Sequence, residues 1–200
     1  MNPTNYLKNV LVTEARDFSP LQERFQKIRS IRLLHGAIGL ASELAEIRDM
    51  AQKQKIDEIN LKEEMGDLCW YMGIMISELE LDPEDIFRSQ GTMVYLNDPE
   101  GQKIYLNEYI DNMTIDIGDM IDLLKKHLMY GKELNVKGVK QKLLSLSCAI
   151  EFALNIFSMT SGEARERNIE KLRARYGEKF TEAAANERNL VVEREILEKK

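Results

Sequence analysis

Apolar residues recur at three- and four-residue steps along almost all of this chain. That is the period of a helix, not of a strand. Leu21, Phe25, Ile28, Ile31, Leu34 and Ile38 form one such row and predict a long helix over about 20–53. Leu61, Met65, Leu68, Met72, Met75 and Leu79 form another and predict a helix over 61–80. Further helices are expected over 4–16, from Pro83, and over 101–129, 137–159 and 163–176, with 89–100 irregular. The punctuation agrees. Prolines stand at 3, 20, 83 and 99, outside every periodic segment. Ser19 with Pro20, and Asp82 with Pro83, read as helix starts, and Asn60 with Glu63 as a capping box. Gly36 and Gly39 lie inside the first long helix and mark a bend or a close approach. Strand-like alternation between turns is absent. The expected fold class is therefore all-α: a helical bundle without a sheet. It is read as a single domain over 1–180 with a helical tail over 181–200, solvated or packed on a partner.

Composition narrows the function classes. The chain has 200 residues, enough for one domain with a real core. Its net charge of −6 and pI near 5.2 lack the basic footprint of a nucleic-acid binder. Cys69 and Cys148 form no C-x-x-C pair, which argues for a reducing compartment and against a disulfide scaffold or a zinc ribbon. The longest apolar run, Leu68 to Ile76, is far short of a membrane span. The start carries no charged region followed by an apolar one. These features predict a cytoplasmic protein with neither nucleic acid nor membrane as partner.

The acids raise the chemical question. Glu43, Glu46 and Asp49 are spaced by three and line one side of the first long helix. Glu64 and Asp67 repeat the spacing on the next, with Glu63 beside them. The connecting loop "QKQKIDEIN" is short, so the two helices are expected to be antiparallel neighbours. Two pairs of carboxylates then converge on one spot and repel. Hard divalent cations remove that repulsion, and oxygen-only ligands favour Mg²⁺ or Mn²⁺. A solvated face paired with Arg48, Lys53 or Lys62 is the other reading of the same spacing. A di-iron site would need Glu-x-x-His pairs, but Arg32 and Leu124 precede His35 and His127 by three residues. No phosphate-binding glycine loop and no Ser–His–Asp or Cys–His set is visible. Trp70 and His35 read as interior residues. "GLASELAEIRDM" with "EEMGDLCW" is echoed by "DIGDMIDLLKKH" with "KQKLLSLSCA", two similar hairpins or a degenerate duplication.

"LLHGAIGLASELAEIRDM", "NLKEEMGDLCWYM" and "NIEKLRARYGEKF" resemble the all-α nucleoside triphosphate pyrophosphohydrolases. This is the MazG-like group, whose superfamily includes the dimeric dUTPases. The family pattern of E-x-x-E, a spacer and E-x-x-D falls on Glu43, Glu46, Glu64 and Asp67. The likeness is specific over 33–76, looser over 168–180, and covers less than half of the chain. Two positions depart from the pattern. Ser42 stands where many members carry a first Glu, and Gly177 where the family has Pro.

The resemblance implies a bundle that binds Mg²⁺ through those four acids. It implies hydrolysis of a (d)NTP between the α and β phosphates, giving a monophosphate and pyrophosphate. Lys171 and Arg175, with Asn168 and Tyr176, resemble residues that hold the phosphates. Glu43 or Glu46 would take the proton of the attacking water. The apolar circumference of 61–80 exceeds what one neighbouring helix covers, and with the resemblance it predicts a homodimer or larger assembly. A non-catalytic metal-binding or interaction protein on the same scaffold is the alternative. So is an enzyme for a non-standard nucleotide, in the manner of the phosphoribosyl-ATP pyrophosphohydrolases.

Overall fold

A computed structural model describes residues 2–13, 18–88, 95–177, 181 and 189–198. Among them the chain is all-helical, with no strand. In chain order the helices are α1 (Pro3–Thr13), α2 (Ser19–Phe25), α3 (Ile28–Ala51), α4 (Glu58–Glu78) and α5 (Pro83–Ile86). They continue as α6 (Pro99–Leu128), α7 (Val136–Asn155), α8 (Ser161–Tyr176) and α9 (Leu190–Leu197). Two antiparallel hairpins, α3–α4 and α6–α7, pack against each other through α3 and α6. Helix α8 lies along α4, and α9 lies on α8 and the start of α4. The expected row Leu61, Met65, Leu68, Met72, Met75 and Leu79 is buried, and it meets Leu33, Leu40, Leu44 and Ile47 of α3 in one core.

Several boundaries differ from the sequence expectation, each for a physical reason. The helix expected over 20–53 is two helices, because Lys27 is extended at φ −78° and ψ 125°. The break sends α2 toward the end of α6. There Arg24 donates from Nε to the Leu128 carbonyl at 2.5 Å and from Nη2 to the Met129 carbonyl at 3.0 Å. Those are carbonyls a helix end leaves unpaired. Helix α4 starts earlier than expected. Asp57, rather than Asn60, caps it, accepting from the amides of Ile59 and Asn60 at 3.1 and 3.2 Å. No Asn60–Glu63 capping box is needed, and Glu63 turns elsewhere. The box forms at α8 instead, between Thr160 and Glu163. Buried Glu151 of α7 also accepts from the Ser161 amide at 3.0 Å, a favourable place for a carboxylate at a helix start.

Two glycine positions set how close the helices come. A Cβ on Gly39 would meet the Tyr71 ring at 2.2 Å, so the ring of α4 lies flat on α3. A Cβ on Gly66 would meet the Ala164 carbonyl oxygen at 2.7 Å and Asn168 Cβ at 2.9 Å. Any larger residue at 66 would wedge α8 away from α4.

Much of the apolar circumference of α4 is covered by α3, α7, α8 and α9, while Trp70 stays exposed. Further exposed apolar surface lies on α3, at Ile28, Ile31 and Ile38.

Candidate metal and anion cleft

The α3–α4 hairpin and α8 enclose a cleft of about 1120 Å³. Glu43 and Glu46 of α3 line it, with Glu63, Glu64 and Asp67 of α4 and Lys171, Arg175 and Tyr176 of α8. The three-residue spacings do what the sequence implied: both helices turn carboxylates to the same spot. Oxygens of Glu43, Glu64 and Asp67 all lie within 4.8 Å of one another. Among the described residues this is the one cluster able to hold a metal ion. Glu46 lines the same cleft but is exposed and stands outside the tight three. Asp49, the next acid along α3, is exposed and does not line the cleft.

The electrostatics match the crowding. Glu64 is buried, and its carboxyl is pushed up to about 9. Burial is the main cause, followed by its hydrogen bond to Glu43 and the charges of Glu46, Asp67 and Glu63. Burial also raises Glu43, against the lowering effect of that shared hydrogen bond. Burial and crowding thus favour the protonated form of these carboxyls, and a divalent cation held by them would offset the same repulsion. A donor set of carboxylates only, held close and partly desolvated, suits a hard cation such as Mg²⁺.

Lys171 answers part of the repulsion from α8. It is only 1 % exposed, and its ammonium donates to Asp67 Oδ2 at 2.6 Å and Glu63 Oε1 at 3.1 Å. Burial would lower its pKa, but the Asp67 and Glu63 carboxylates outweigh that and raise it. Asn168 donates to the other Asp67 oxygen from the same face of α8, one turn earlier. Of the residues matched to phosphate contacts, Lys171 and Asn168 are therefore drawn to the acids. Arg175 lines the cleft but is gripped from outside by Glu193 of α9, Nε to Oε1 at 2.8 Å and Nη2 to Oε2 at 2.5 Å. Tyr176 lies under the Arg175 guanidinium, 5.6 Å from it to the ring centre.

Glu63 and Glu193 were not expected as parts of the site. For Glu63 the available signal was its place beside Glu64, facing a basic helix. Glu193 gave no signal, because its partner Arg175 lies 18 residues away on another helix.

The helices that carry the acids also bring aromatic rings to the cleft. His35, Trp70 and Tyr71 meet edge to face, with ring centres 5.0–6.0 Å apart. All three line the cleft. Trp70 and His35 had read as interior residues, yet both are exposed here. Their positions on α4 and α3 follow the acids round to the cleft side. Burial pushes the Cys69 thiol up to about 12, so it stays protonated and offers no thiolate nucleophile.

The second hairpin carries no matching cluster. On α7, Lys142 pairs with Asp119 at 2.6 Å and Asp116 at 3.2 Å, so its acids have a counter-charge within the hairpin. No helix among the described residues is long and apolar enough to cross a membrane. No family model matches the chain, and neither a curated protein nor a solved structure does.

Proposed function

We propose that this chain is an Mg²⁺-dependent nucleoside triphosphate pyrophosphohydrolase, cleaving a (d)NTP between the α and β phosphates. The observation that carries the reading is a single cleft with three chemically distinct sides. Converging carboxylates of Glu43, Glu64 and Asp67 form one, the cations Lys171 and Arg175 the second, and the rings of His35, Trp70 and Tyr71 the third. A nucleoside triphosphate has parts for each: a polyanionic chain and a flat base. The cleft, at about 1120 Å³, is at least as large as a typical small-molecule site.

Glu43, Glu64 and Asp67 would hold Mg²⁺, which when bound supplies charge neutralisation and polarisation of the phosphoryl group. The protein's own residues do the rest. Glu46, in the cleft but outside the tight three, accepts the proton of the attacking water. Lys171 and Arg175 face the β and γ phosphates and offset the charge of the leaving pyrophosphate. The aromatic side stacks the base and orients the chain for attack at the α phosphate. Self-association through Ile28, Ile31 and Ile38 belongs to the same reading, and light scattering that gives a monomer at micromolar concentration removes it.

A second reading has one observation in its favour. Lys171 already neutralises Asp67, so the acids have an internal counter-charge, as in a non-catalytic scaffold. A pyrophosphate-release screen of the common NTPs and dNTPs, with dUTP and Mg²⁺, separates the two. Monophosphate plus pyrophosphate is the expected product pair. Diphosphate plus phosphate sinks the proposed mechanism, and no turnover of any triphosphate puts the scaffold ahead.

A further inference from the structure

Helix α9 is short and carries exposed Val191 and Val192, yet it buries a glutamate. Glu193 is 4 % exposed. A carboxylate taken out of water is costly unless charge and hydrogen bonds compensate it. Here both its oxygens are taken by Arg175. Three further contacts seat the helix. Ile196 and Leu197 are buried, and Arg194 reaches back to Asp57, the cap of α4, at 3.3 Å. Thus α9 ties the beginning of α4 to the end of α8, the two elements that carry opposite charges into the cleft.

The geometry of the fork decides what Arg175 can still do. Glu193 engages Nε and Nη2, the side edge of the guanidinium. Nη1 lies outside that fork. A guanidinium has five N–H donors in a fixed plane, so with Glu193 on the side edge and Tyr176 sharing one further hydrogen bond, donors remain for a second anion. The pairing also removes the rotamer freedom that an unheld arginine would lose on binding.

We propose that Glu193 is a positioning residue. It holds Arg175 side-on so that the guanidinium end grips the phosphate chain of a nucleoside triphosphate in the cleft. This rests on the triphosphate reading above and adds α9 to the site. The helix then braces the cleft from outside through Arg175.

A double-mutant cycle tests it, using the full chain and inorganic tripolyphosphate with Mg²⁺ as the probe in calorimetry. The variants are Glu193→Gln, Arg175→Ala and both together. NTP turnover and melting temperature are measured on the same samples. Glu193→Gln keeps the shape and one polar contact, so α9 stays docked. It is expected to weaken tripolyphosphate about tenfold, a single interaction's worth. KM for the NTP should rise in parallel, and kcat should fall with it, since Arg175 also offsets the charge of the leaving pyrophosphate. In the Arg175→Ala background the same change should cost little further tripolyphosphate affinity, because Glu193 reaches the anion through Arg175. An equal loss in both backgrounds means a merely structural role and overturns the proposal, and so does an unchanged affinity. The two readings fail separately. An intact cycle with no pyrophosphate release from any NTP overturns the hydrolase and leaves the positioning role standing. Pyrophosphate release with a flat cycle does the reverse. A parent protein that binds no tripolyphosphate overturns both.

Discussion

Replacing Glu64 by Gln is expected to cut pyrophosphate release by about a hundredfold or more while making the metal-free protein more resistant to alkaline pH. The activity loss follows from removing one charged ligand of a preorganised site, on the order of 3 kcal/mol of transition-state stabilisation. The stability gain follows from linkage. Glu64 has its carboxyl pushed up to about 9 by burial, by Glu43 and by neighbouring acids, against an ordinary value of 4.5. Between those two pH values the native state holds a proton that the unfolded chain has released. Stability therefore falls as pH rises through that window and is fully present only below it. Glutamine has the shape of the protonated acid and cannot ionise, so the variant should lose less on going from pH 5 to pH 8. Under the proposed reading Mg²⁺ is held by the native carboxylates, so it should raise the melting temperature of the parent at pH 8, by mass action. It should raise that of the variant far less. Thermal melts at both pH values, with and without Mg²⁺, give the answer. A parent that melts identically at pH 5 and pH 8 without metal would show that the acids are not crowded. Equal Mg²⁺ effects on both proteins would remove Glu64 from the ligand set.

Lys171→Met should be the most destabilising substitution in the cleft. Methionine keeps much of the buried stem but removes the charge between Asp67 and Glu63, which lie 2.6 and 3.1 Å from the ammonium. Stripping one partner from a buried ion pair costs about 3 kcal/mol, because the other charges stay behind uncompensated. For a chain of this size that is a fall of roughly 6–12 °C in melting temperature. Adding Asp67→Asn to the same protein removes the stranded charge and should recover much of the loss, a coupling expected of residues in contact. Millimolar Mg²⁺ should recover part of it as well, since a divalent cation supplies the missing charge. A drop below about 1 kcal/mol, the scale of an exposed pair, would mean that water screens the cluster. Triphosphate binding should weaken too, but the melting experiment needs no substrate and stands whatever the reaction is.

Residues that share a helix face could be read from the sequence, and those brought together by packing could not. Glu43 with Glu46, and Glu64 with Asp67, are local pairs, and a three-residue step puts each on one side of its own helix. The short loop between the two helices made their convergence predictable as well. The row from Leu61 to Leu79 was legible because burial selects one stripe. Lys171 was reached only through resemblance, and the sequence could not tell that its nearest partners would be acids. Trp70 was misread because aromatic residues are so often interior. Its three-residue offset from Asp67 was the signal that it follows the acids to the cleft. The break at Lys27 escaped because no Pro or Gly marks it. Its cause is Arg24 finding the end of α6, about a hundred residues away in sequence. Glu193 escaped for a similar reason, since an ion pair between two helices leaves no periodic trace.

The packing of α8 against α4 also bears on how the molecule assembles. The acids sit on two helices joined by a short loop, so they come together through contacts close in sequence. Lys171 and Asn168 reach Asp67 only by closing separations of 104 and 101 residues. Closure over such a distance is entropically expensive and is slow compared with forming a hairpin. The carboxylates thus meet each other before their counter-charge arrives, and their mutual repulsion falls on the climb to the folding barrier rather than on the finished structure. Solution ions that screen the cluster during that interval act on the speed of folding first, and Gly66, by letting α8 seat fully, determines when the interval ends.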